Sequence, residues 1–179
     1  IIKKKKKGRQ ILVRGKKSKK EKRGPHVLCI QHAKNGKREL TWTYGVPEQK
    51  GSKPGFLNYP DDAHLLEDGN FLTADIRNHR VLIIDPRTDR ILTQWGAIGK
   101  RNHNPPHELA APNGATPMDN GDILITEIGG AWITRITREG KVIWSVQAPR
   151  VRYPSDAFPT VDGKHVIVAD FSKPGRVVI

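Results

Sequence analysis

The stretch from Tyr59 to Gly96 reads YPDDAHLLEDGNFLTADIRNHRVLIIDPRTDRILTQWG, and its pattern decides the fold. The apolar segments are short, rich in Val, Ile, Leu and Thr, and separated by the turns EDGN (67–70) and PRTD (86–89). Short segments of this kind, bounded by turn residues and lacking a 3.6-residue period, are typical of antiparallel strands. The stretch therefore predicts a four-stranded antiparallel sheet made of residues 61–66, 70–75, 80–85 and 90–95.

The same pattern recurs along the chain. Residues 111–147 read APNGATPMDNGDILITEIGGAWITRITREGKVIWSVQ, and residues 153–179 read YPSDAFPTVDGKHVIVADFSKPGRVVI. Each copy opens with Pro, a small polar pair and Ala, turns at a Gly, and continues into an apolar strand that ends in an acid. A fourth, partial copy precedes them at residues 11–13, 27–30 and 38–45. The copies are 52 and 42 residues apart, counted from Pro60 to Pro112 to Pro154.

Four strands in each repeat of about 40 to 50 residues is the period of a β-propeller. We therefore predict an all-β fold, a β-propeller of four-stranded antiparallel blades. The partial blades are predicted at residues 1–58, 59–110, 111–152 and 153–179 of a single repeat domain. They amount to about three and a half blades, fewer than the usual four to eight. We expect the chain to be a fragment of a propeller. Further residues, or a partner chain such as a second copy in a homo-oligomer, would complete the propeller.

The sequence of residues 73–85, TADIRNHRVLIID, resembles an NHL-type propeller repeat. The DGxxL and YPxDA signals, followed by a trailing Trp, resemble those of arylsulfotransferase-like and quinoprotein-like propellers. The resemblance covers about residues 9–179. It implies a fold rather than an activity, because the same blades serve enzymes, binding modules and scaffolds.

The net charge of +14 is concentrated at one end of the chain. Residues 1–23 hold 13 of the 32 basic residues and one acid, Glu21, so this segment carries +12 and the remainder +2. Lysines without interleaved aromatic residues can contact phosphates but do not read a sequence. The segment gives one hypothesis, weak binding of nucleic acid or another polyanion through Lys3–Lys7 and Lys16–Arg23, and the alternative is a solvated loop.

Several features limit the class of protein. Cys29 is the only cysteine, which excludes an internal disulfide and a cysteine-based metal cage. No apolar run approaches the roughly 20 residues of a membrane-spanning helix, and no targeting signal is visible. The chain begins without Met and ends within a strand pattern, so we expect the native termini to lie outside this sequence, and the location of the protein is not indicated.

One face of the predicted propeller concentrates polar side chains. The loops between the second and third strands of each blade and the connections between blades share this loop face, where propellers generally bind ligands. The predicted ligand-binding residues are Asp75, Asn78, His79, Glu127, Asp170 and Lys173. Trp42, Trp95 and Trp144 end the outer strands, and we expect them to pack between blades rather than to bind a ligand.

Two histidines lie in the longest connection, residues 97–112. Imidazoles can serve in acid–base, nucleophilic or metal chemistry, and a rim histidine is the transfer centre in arylsulfotransferase-like propellers. The resemblance thus implies His107, supported by His103, as catalytic residues that share a pocket with a rim acid or Lys173. The alternative is a turn or capping role beside Pro105 and Pro106. These prolines, and Ala111 in place of a second histidine, argue against a zinc hydrolase.

Acidic and amide residues begin the inner strands: Asp61, Asp62, Asn113, Ser155 and Asp156. Such groups could converge on Ca²⁺ in a central channel, but they could equally cap turns, and Gly114 interrupts the set. We therefore predict no metal-ligand residues, and Ca²⁺ is the one cofactor left open. Phosphate-loop, dinucleotide and serine-hydrolase motifs are absent from the sequence.

Three functions follow from these features. The first is a propeller module that binds a protein or a small-molecule ligand on its loop face, because no complete catalytic set can be assembled. The second is an arylsulfotransferase-like enzyme with His107 at the rim. The third is the polyanion binding described above.

Overall fold

The structure, a computed structural model, describes residues 9–13, 28–34 and 37–179, with side chains from Trp42 onward. The described residues form fourteen strands and one short 3₁₀ helix, Ile76–Asn78. The strands are β1 Arg9–Val13, β2 Leu28–Lys34, β3 Lys37–Tyr44, β4 Pro60–Leu65, β5 Phe71–Asp75, β6 Arg80–Asp85, β7 Arg90–Gly96, β8 Pro112–Pro117, β9 Ile123–Glu127, β10 Trp132–Ile136, β11 Val142–Gln147, β12 Pro154–Pro159, β13 Val166–Asp170 and β14 Arg176–Val178.

The strands form four antiparallel sheets, in each of which consecutive strands are neighbours. Blade 1 is β1–β3, blade 2 is β4–β7, blade 3 is β8–β11 and blade 4 is β12–β14. Blade 2 confirms the predicted four-stranded sheet to within one residue at each strand end. Blades 2 and 3 have four strands each, and blades 1 and 4, at the two ends of the series, have three described strands each. The architecture is therefore a partial β-propeller, as predicted. Within the described part of the chain, no helix is long and apolar enough to cross a membrane.

The two middle strands of blade 2, β5 and β6, are buried on both faces. Because successive side chains of a strand point to opposite faces, Leu72 and Ala74 of β5 pack toward blade 3 with Ile123 and Ile125. Phe71, which points to the opposite face, packs toward blade 1. The strand β6 divides in the same way and is fully buried. Burial of both faces explains why these strands are continuously apolar rather than alternating.

The three tryptophans at the outer strand ends pack between blades. Trp95 is 3% exposed and lies in the core between blades 2 and 3. Trp42 of blade 1 stacks on Phe71 of blade 2 with ring centroids 4.8 Å apart. Trp144 of blade 3 packs against the core shared with blade 4. These contacts are those expected of blade packing.

Hydrogen bonds join the inner strands β4, β8 and β12 across blade boundaries. The backbone N–H of Ala115 donates to Asp62 Oδ2 (3.0 Å), and Thr116 Oγ1 donates to Asp156 Oδ1 (2.9 Å). Gly114 directly precedes these two residues in β8, and a Cβ there would be 2.8 Å from Thr126 Oγ1 and 3.0 Å from Asp156 Oδ1. The close approach of the strands thus requires glycine at this position.

We predict that Gly114→Ala lowers the free energy of unfolding by about 1–3 kcal/mol, because the added methyl group forces the inner strands apart. Urea unfolding measures the change. Gly175→Ala is the matched control, since its Cβ would meet other atoms only at 3.6 Å or more and its φ is not positive. Equal losses in the two variants would contradict the close packing of β8 against β12.

Candidate functional site

A buried acid ends the second strand of each of blades 2 to 4. The acids are Asp75, Glu127 and Asp170, and they are 0%, 0% and 3% exposed. Each accepts a hydrogen bond from the backbone of the connection that enters its own blade: from Asn58 N at 2.6 Å, Ala110 N at 2.5 Å and Tyr153 N at 3.0 Å. The three predicted ligand residues therefore lie beneath the loop face, where they hold its backbone in place.

Backbone hydrogen bonds reinforce each of these contacts. The residue after the acid donates its N–H to the connection, from Ile76 to Tyr59 O (3.3 Å), from Ile128 to Ala111 O (3.0 Å) and from Phe171 to Tyr153 O (2.8 Å). We call the acid with these paired backbone segments the loop latch of a blade. It positions the residues before the first strand and after the second, which are those that reach the loop face.

The latch of blade 2 includes a buried ion pair. Arg80 is 1% exposed, and its Nε lies 2.8 Å from Asp75 Oδ2, while its Nη groups donate to the carbonyls of Ser52 and Phe56. Asn78 Nδ2 donates to Asp75 Oδ2 and to Gly51 O, both at 2.7 Å. Burial raises the pKa of Asp75, although these hydrogen bonds and the charge of Arg80 oppose it. Arg80 was not among the predicted site residues.

His103 is held by the latch of blade 3. Its Nδ1 lies 2.8 Å from Glu127 Oε1 and its Nε2 lies 3.1 Å from Ser145 Oγ. The ring stacks on Trp132 at a centroid distance of 3.9 Å. Burial raises the pKa of Glu127, while the N–H of Ala110 and the neighbouring imidazole oppose that rise.

The serine, histidine and acid have the connectivity of a hydrolase triad, but the surroundings differ. Ser145 Oγ is also 2.7 Å from the buried Thr134 Oγ1 on the neighbouring strand. Both ring nitrogens of His103 are engaged and one ring face is covered by Trp132. These contacts favour a clamp that fixes the connection between blades 2 and 3.

His107 and Lys173 lie elsewhere. His107 is exposed, and its side chain makes no hydrogen bond or ion pair with any described residue; its backbone N–H donates to Asn104 O within the turn. Lys173 is also exposed. The structure therefore does not bring His107 together with His103. It places His103 with Glu127 alone of the predicted rim acids.

A cavity of about 560 Å³ opens on the loop face. Of the predicted site residues, it is lined by His79 alone. The full lining is Asn58, Tyr59, Ile76, Arg77, His79, Arg101, Ala111, Ile128 and Tyr153. Most of these residues belong to the loop latches or follow them closely, and Arg101 lies in the connection between blades 2 and 3. The repeat alignment identifies their positions in the blades, but their residue types differ, so the sequence did not indicate that they form one site.

His79 has an unusual backbone and an unpaired ring atom. Its φ is 57°, in the left-handed region that non-glycine residues seldom adopt. Its Nδ1 is buried and has no hydrogen-bond partner in the part of the chain that the structure describes. Burial, and then the charge of Arg101, lower the pKa of His79. The side chain therefore favours the neutral form beside the cavity.

The central channel brings together Asp62, His64 and Asp156. His64 Nε2 lies 2.6 Å from Asp62 Oδ1. Burial and the charge of Asp62 raise the pKa of Asp156 to about 6. Burial lowers the pKa of His64, but the two carboxylates outweigh it and the net shift is upward.

Neither the calcium hypothesis nor the polyanion hypothesis gains support from these groups. Among the residues that the structure describes, no group of three or more His, Cys, Asp or Glu side chains is placed to hold a metal ion. The inner-strand acids instead bond to neighbouring strands. Lys3–Lys7 and Lys16–Arg23 lie outside the described residues.

Comparisons with known proteins give the fold. No model of a protein family and no curated protein matches the chain. Solved structures do match it. The WD40 β-propeller domain of Doa1 is 14% identical with a TM-score of 0.54, over 78% of this chain. A protein of unknown function from Bacteroides caccae is 17% identical with a TM-score of 0.57, over 84% of this chain.

A catalytically inactive variant of virginiamycin B lyase from Staphylococcus aureus, solved with quinupristin, is 22% identical with a TM-score of 0.53, over 96% of this chain. The chain spans 40%, 51% and 54% of the lengths of these three proteins. At such identities the likeness establishes a propeller fold alone. The chain is thus a β-propeller repeat protein, and its resemblance to NHL-type or arylsulfotransferase-like propellers stays a prediction.

We predict that Arg80→Leu lowers the free energy of unfolding by about 3–5 kcal/mol, because it leaves the buried Asp75 without a counter-charge. Urea unfolding monitored by tryptophan fluorescence gives the value. Arg90→Leu removes the same charge from an exposed position on the same blade and should change it by less than about 0.5 kcal/mol. A loss below 1 kcal/mol in Arg80→Leu would contradict the role given to this ion pair.

We predict that the protein is more stable at pH 5 than at pH 8. The pKa of Asp156 in the folded protein, about 6, exceeds the ordinary value of about 3.9, so ionisation costs stability as pH rises between these values. The raised pKa of His64 acts in the same direction, since its contribution is lost as pH rises through that pKa. The lowered pKa of His79 opposes this trend in the same pH range, but the raised pKa values of Asp75 and Glu127 add to the effect of Asp156 and His64. The acids with lowered pKa values oppose the trend only at more acidic pH.

Asp156→Asn separates this effect from others, because it keeps an oxygen for the hydrogen bonds from Thr116 Oγ1 and Ala157 N while it removes the charge beside Asp62. Its Tm at pH 8 should exceed that of the parent by about 2–6 °C, with a smaller difference between pH 5 and pH 8. Asp119→Asn, at an exposed position, is the control. An unchanged pH profile in Asp156→Asn would show that other groups set it.

Proposed function

We propose that this chain is a ligand-binding propeller module whose binding site is the cavity on the loop face. One observation carries the proposal: blade 2, blade 3 and the entry to blade 4 all contribute to the same cavity of about 560 Å³. That volume lies within the range of small-molecule sites in proteins. A small molecule, or one side chain of a bound protein segment, would fit.

The rigidity of the support favours binding. Each part of the lining that adjoins a strand is fixed by a loop latch, so the cavity is formed before a ligand arrives. A preformed site avoids the entropy cost of ordering loops on binding. The mixture of aromatic, aliphatic and charged side chains is also typical of ligand sites, in which a few polar groups orient the ligand.

No specific observation supports either alternative function. The enzyme hypothesis requires a rim histidine with a free nitrogen near an acid, whereas His103 has both nitrogens engaged and His107 is exposed without an acidic partner among the described residues. Polyanion binding depends on residues outside the described part of the chain. Completion of the ring by further residues or a partner chain likewise stays a prediction.

The test is a screen of the protein by two-dimensional NMR against a fragment library of aromatic acids, amines, neutral aromatics and sugars. We expect the shifts caused by binding fragments to cluster at the amides of Ile76, Ile128 and Tyr153. Ile128→Trp, which fills the cavity, should weaken those fragments at least about tenfold, equivalent to about 1.4 kcal/mol.

Val161→Trp is the matched control. Val161 is fully exposed in the turn between β12 and β13, so the substitution adds the same tryptophan side chain away from the cavity. Fragments that cluster at another surface, or that bind Ile128→Trp as well as the parent, would refute the cavity as the binding site.

A further inference from the structure

The cavity on the loop face is positively charged. Arg77 and Arg101 both line it, and none of its nine lining residues, all within the described part of the chain, is acidic. Neither arginine forms an ion pair with an acid among the described residues. The nearby carboxylates of the loop latches are turned to backbone N–H groups beneath the surface. Two arginines therefore line the cavity, and no acidic residue of the described chain lines it with them.

On the basis of the binding function above, we propose that the ligand is an organic oxyanion: a small molecule with a phosphate, sulfate or carboxylate group attached to an apolar body. Arg77 and Arg101 bind the anionic group, and the tyrosines and isoleucines of the lining contact the body. Guanidinium groups suit this role because their planar N–H donors match the geometry of oxyanions, and charge-assisted hydrogen bonds are the strong ones.

The position of Arg77 supports this role. Its guanidinium carbon lies 4.1 Å from the centroid of the Tyr59 ring. A cation held over an aromatic face is attracted to the ring but keeps the edge of the guanidinium, with its N–H donors, available. The backbone N–H of Arg77 donates to Asn58 O at 3.1 Å, which fixes the base of the side chain. The donor group is thus positioned at the wall of the cavity.

Two residues of the lining carry a buried polar atom that has no hydrogen-bond partner among the described residues. The atoms are His79 Nδ1 and Asn58 Oδ1. A buried polar atom without a hydrogen bond costs free energy, so a ligand that supplies a partner gains that energy. His79 can donate to an oxyanion through whichever nitrogen carries its proton, and Asn58 Oδ1 can accept from a hydroxyl group of the ligand.

The rest of the lining favours a ligand with an apolar organic body. The cavity far exceeds the volume of an inorganic phosphate, and Ile76, Ile128 and Ala111 supply apolar surface beside the rings of Tyr59 and Tyr153. Burial of an apolar group there adds affinity in proportion to the area removed from water. An inorganic anion would use the arginines and His79 but not the apolar lining, and should bind more weakly.

The test compares three probes by isothermal titration calorimetry at constant ionic strength: phenyl phosphate, benzyl alcohol and inorganic phosphate. We expect phenyl phosphate to bind at least about tenfold more tightly than either of the others, since it alone engages both parts of the cavity. Arg77→Gln and Arg101→Gln should each weaken phenyl phosphate by about tenfold or more, and should leave benzyl alcohol unchanged.

Arg90→Gln is the matched control, because it removes one positive charge from an exposed position in β7, beside the turn 86–89 on the opposite face. It should leave the affinity for phenyl phosphate unchanged. All variants keep the lysines of residues 1–23, so phosphate binding by those lysines would be equal in all of them and would not separate Arg77→Gln from Arg90→Gln.

His79 gives a second readout. The titratable groups of the lining around it are Arg77, Arg101, Tyr59 and Tyr153. An oxyanion bound between the arginines offsets the charge of Arg101, so the pKa of His79 measured by NMR should rise when phenyl phosphate is added. Benzyl alcohol should not produce this rise.

The outcomes separate this inference from the proposed function. If benzyl alcohol binds as tightly as phenyl phosphate and both arginine variants bind normally, the anionic specificity is refuted while the cavity stands as a binding site. Phenyl phosphate that fails to bind, or binds equally to Arg77→Gln, Arg101→Gln and Arg90→Gln, refutes the inference too. The fragment screen then decides independently whether the cavity binds anything.

Discussion

The buried carboxylate at the end of each second strand is the contact on which the loop face depends. Asp75, Glu127 and Asp170 each lie where two backbone segments of one blade meet, and each accepts a backbone hydrogen bond from the connection that enters the blade. The cost of burying a charge is offset in a different way in each blade: by Arg80 in blade 2, by His103 in blade 3 and by Arg176 with backbone donors in blade 4.

Hydrogen bonds from the backbone of Ser172, Tyr153 and Arg152 outweigh burial and keep the pKa of Asp170 well below its usual range.

Above the latches, the residues differ from blade to blade in part. The residues after the three acids are Ile76, Ile128 and Phe171, and the carbonyls that pair with them belong to Tyr59, Ala111 and Tyr153. The next position along differs most, since it holds Arg77, Gly129 and Ser172. Such a division between a repeated support and a variable surface is how one scaffold can present different ligand sites. The candidate site lies on this surface, and its charge comes from Arg77, at one of the variable positions, and from Arg101 in the connection between blades 2 and 3.

The fold was predictable because the repeat is local. The strands of blade 2 and their turns follow each other along the chain, so spacing and apolar content defined them to within a residue. The roles of the acids were not predictable, because their partners, such as Asn58 for Asp75, lie 17 residues away and are backbone atoms that carry no sequence signal. The same limit applies to His103 and His107, since only the path of the connection shows that one ring is enclosed and the other is exposed. Arg80 was missed because a charged residue at the start of an apolar strand is expected to be exposed to solvent.

The placement of the cavity has a mechanical consequence. Each loop latch acts within a single blade, whereas the cavity is bounded by blade 2, blade 3 and the entry to blade 4. A molecule bound there would connect these blades, in addition to the inner-strand hydrogen bonds and the tryptophans at the outer strand ends. Its binding would reduce the motion of one blade against the next, so that the relative motion of the blades would report on a site only a few side chains wide.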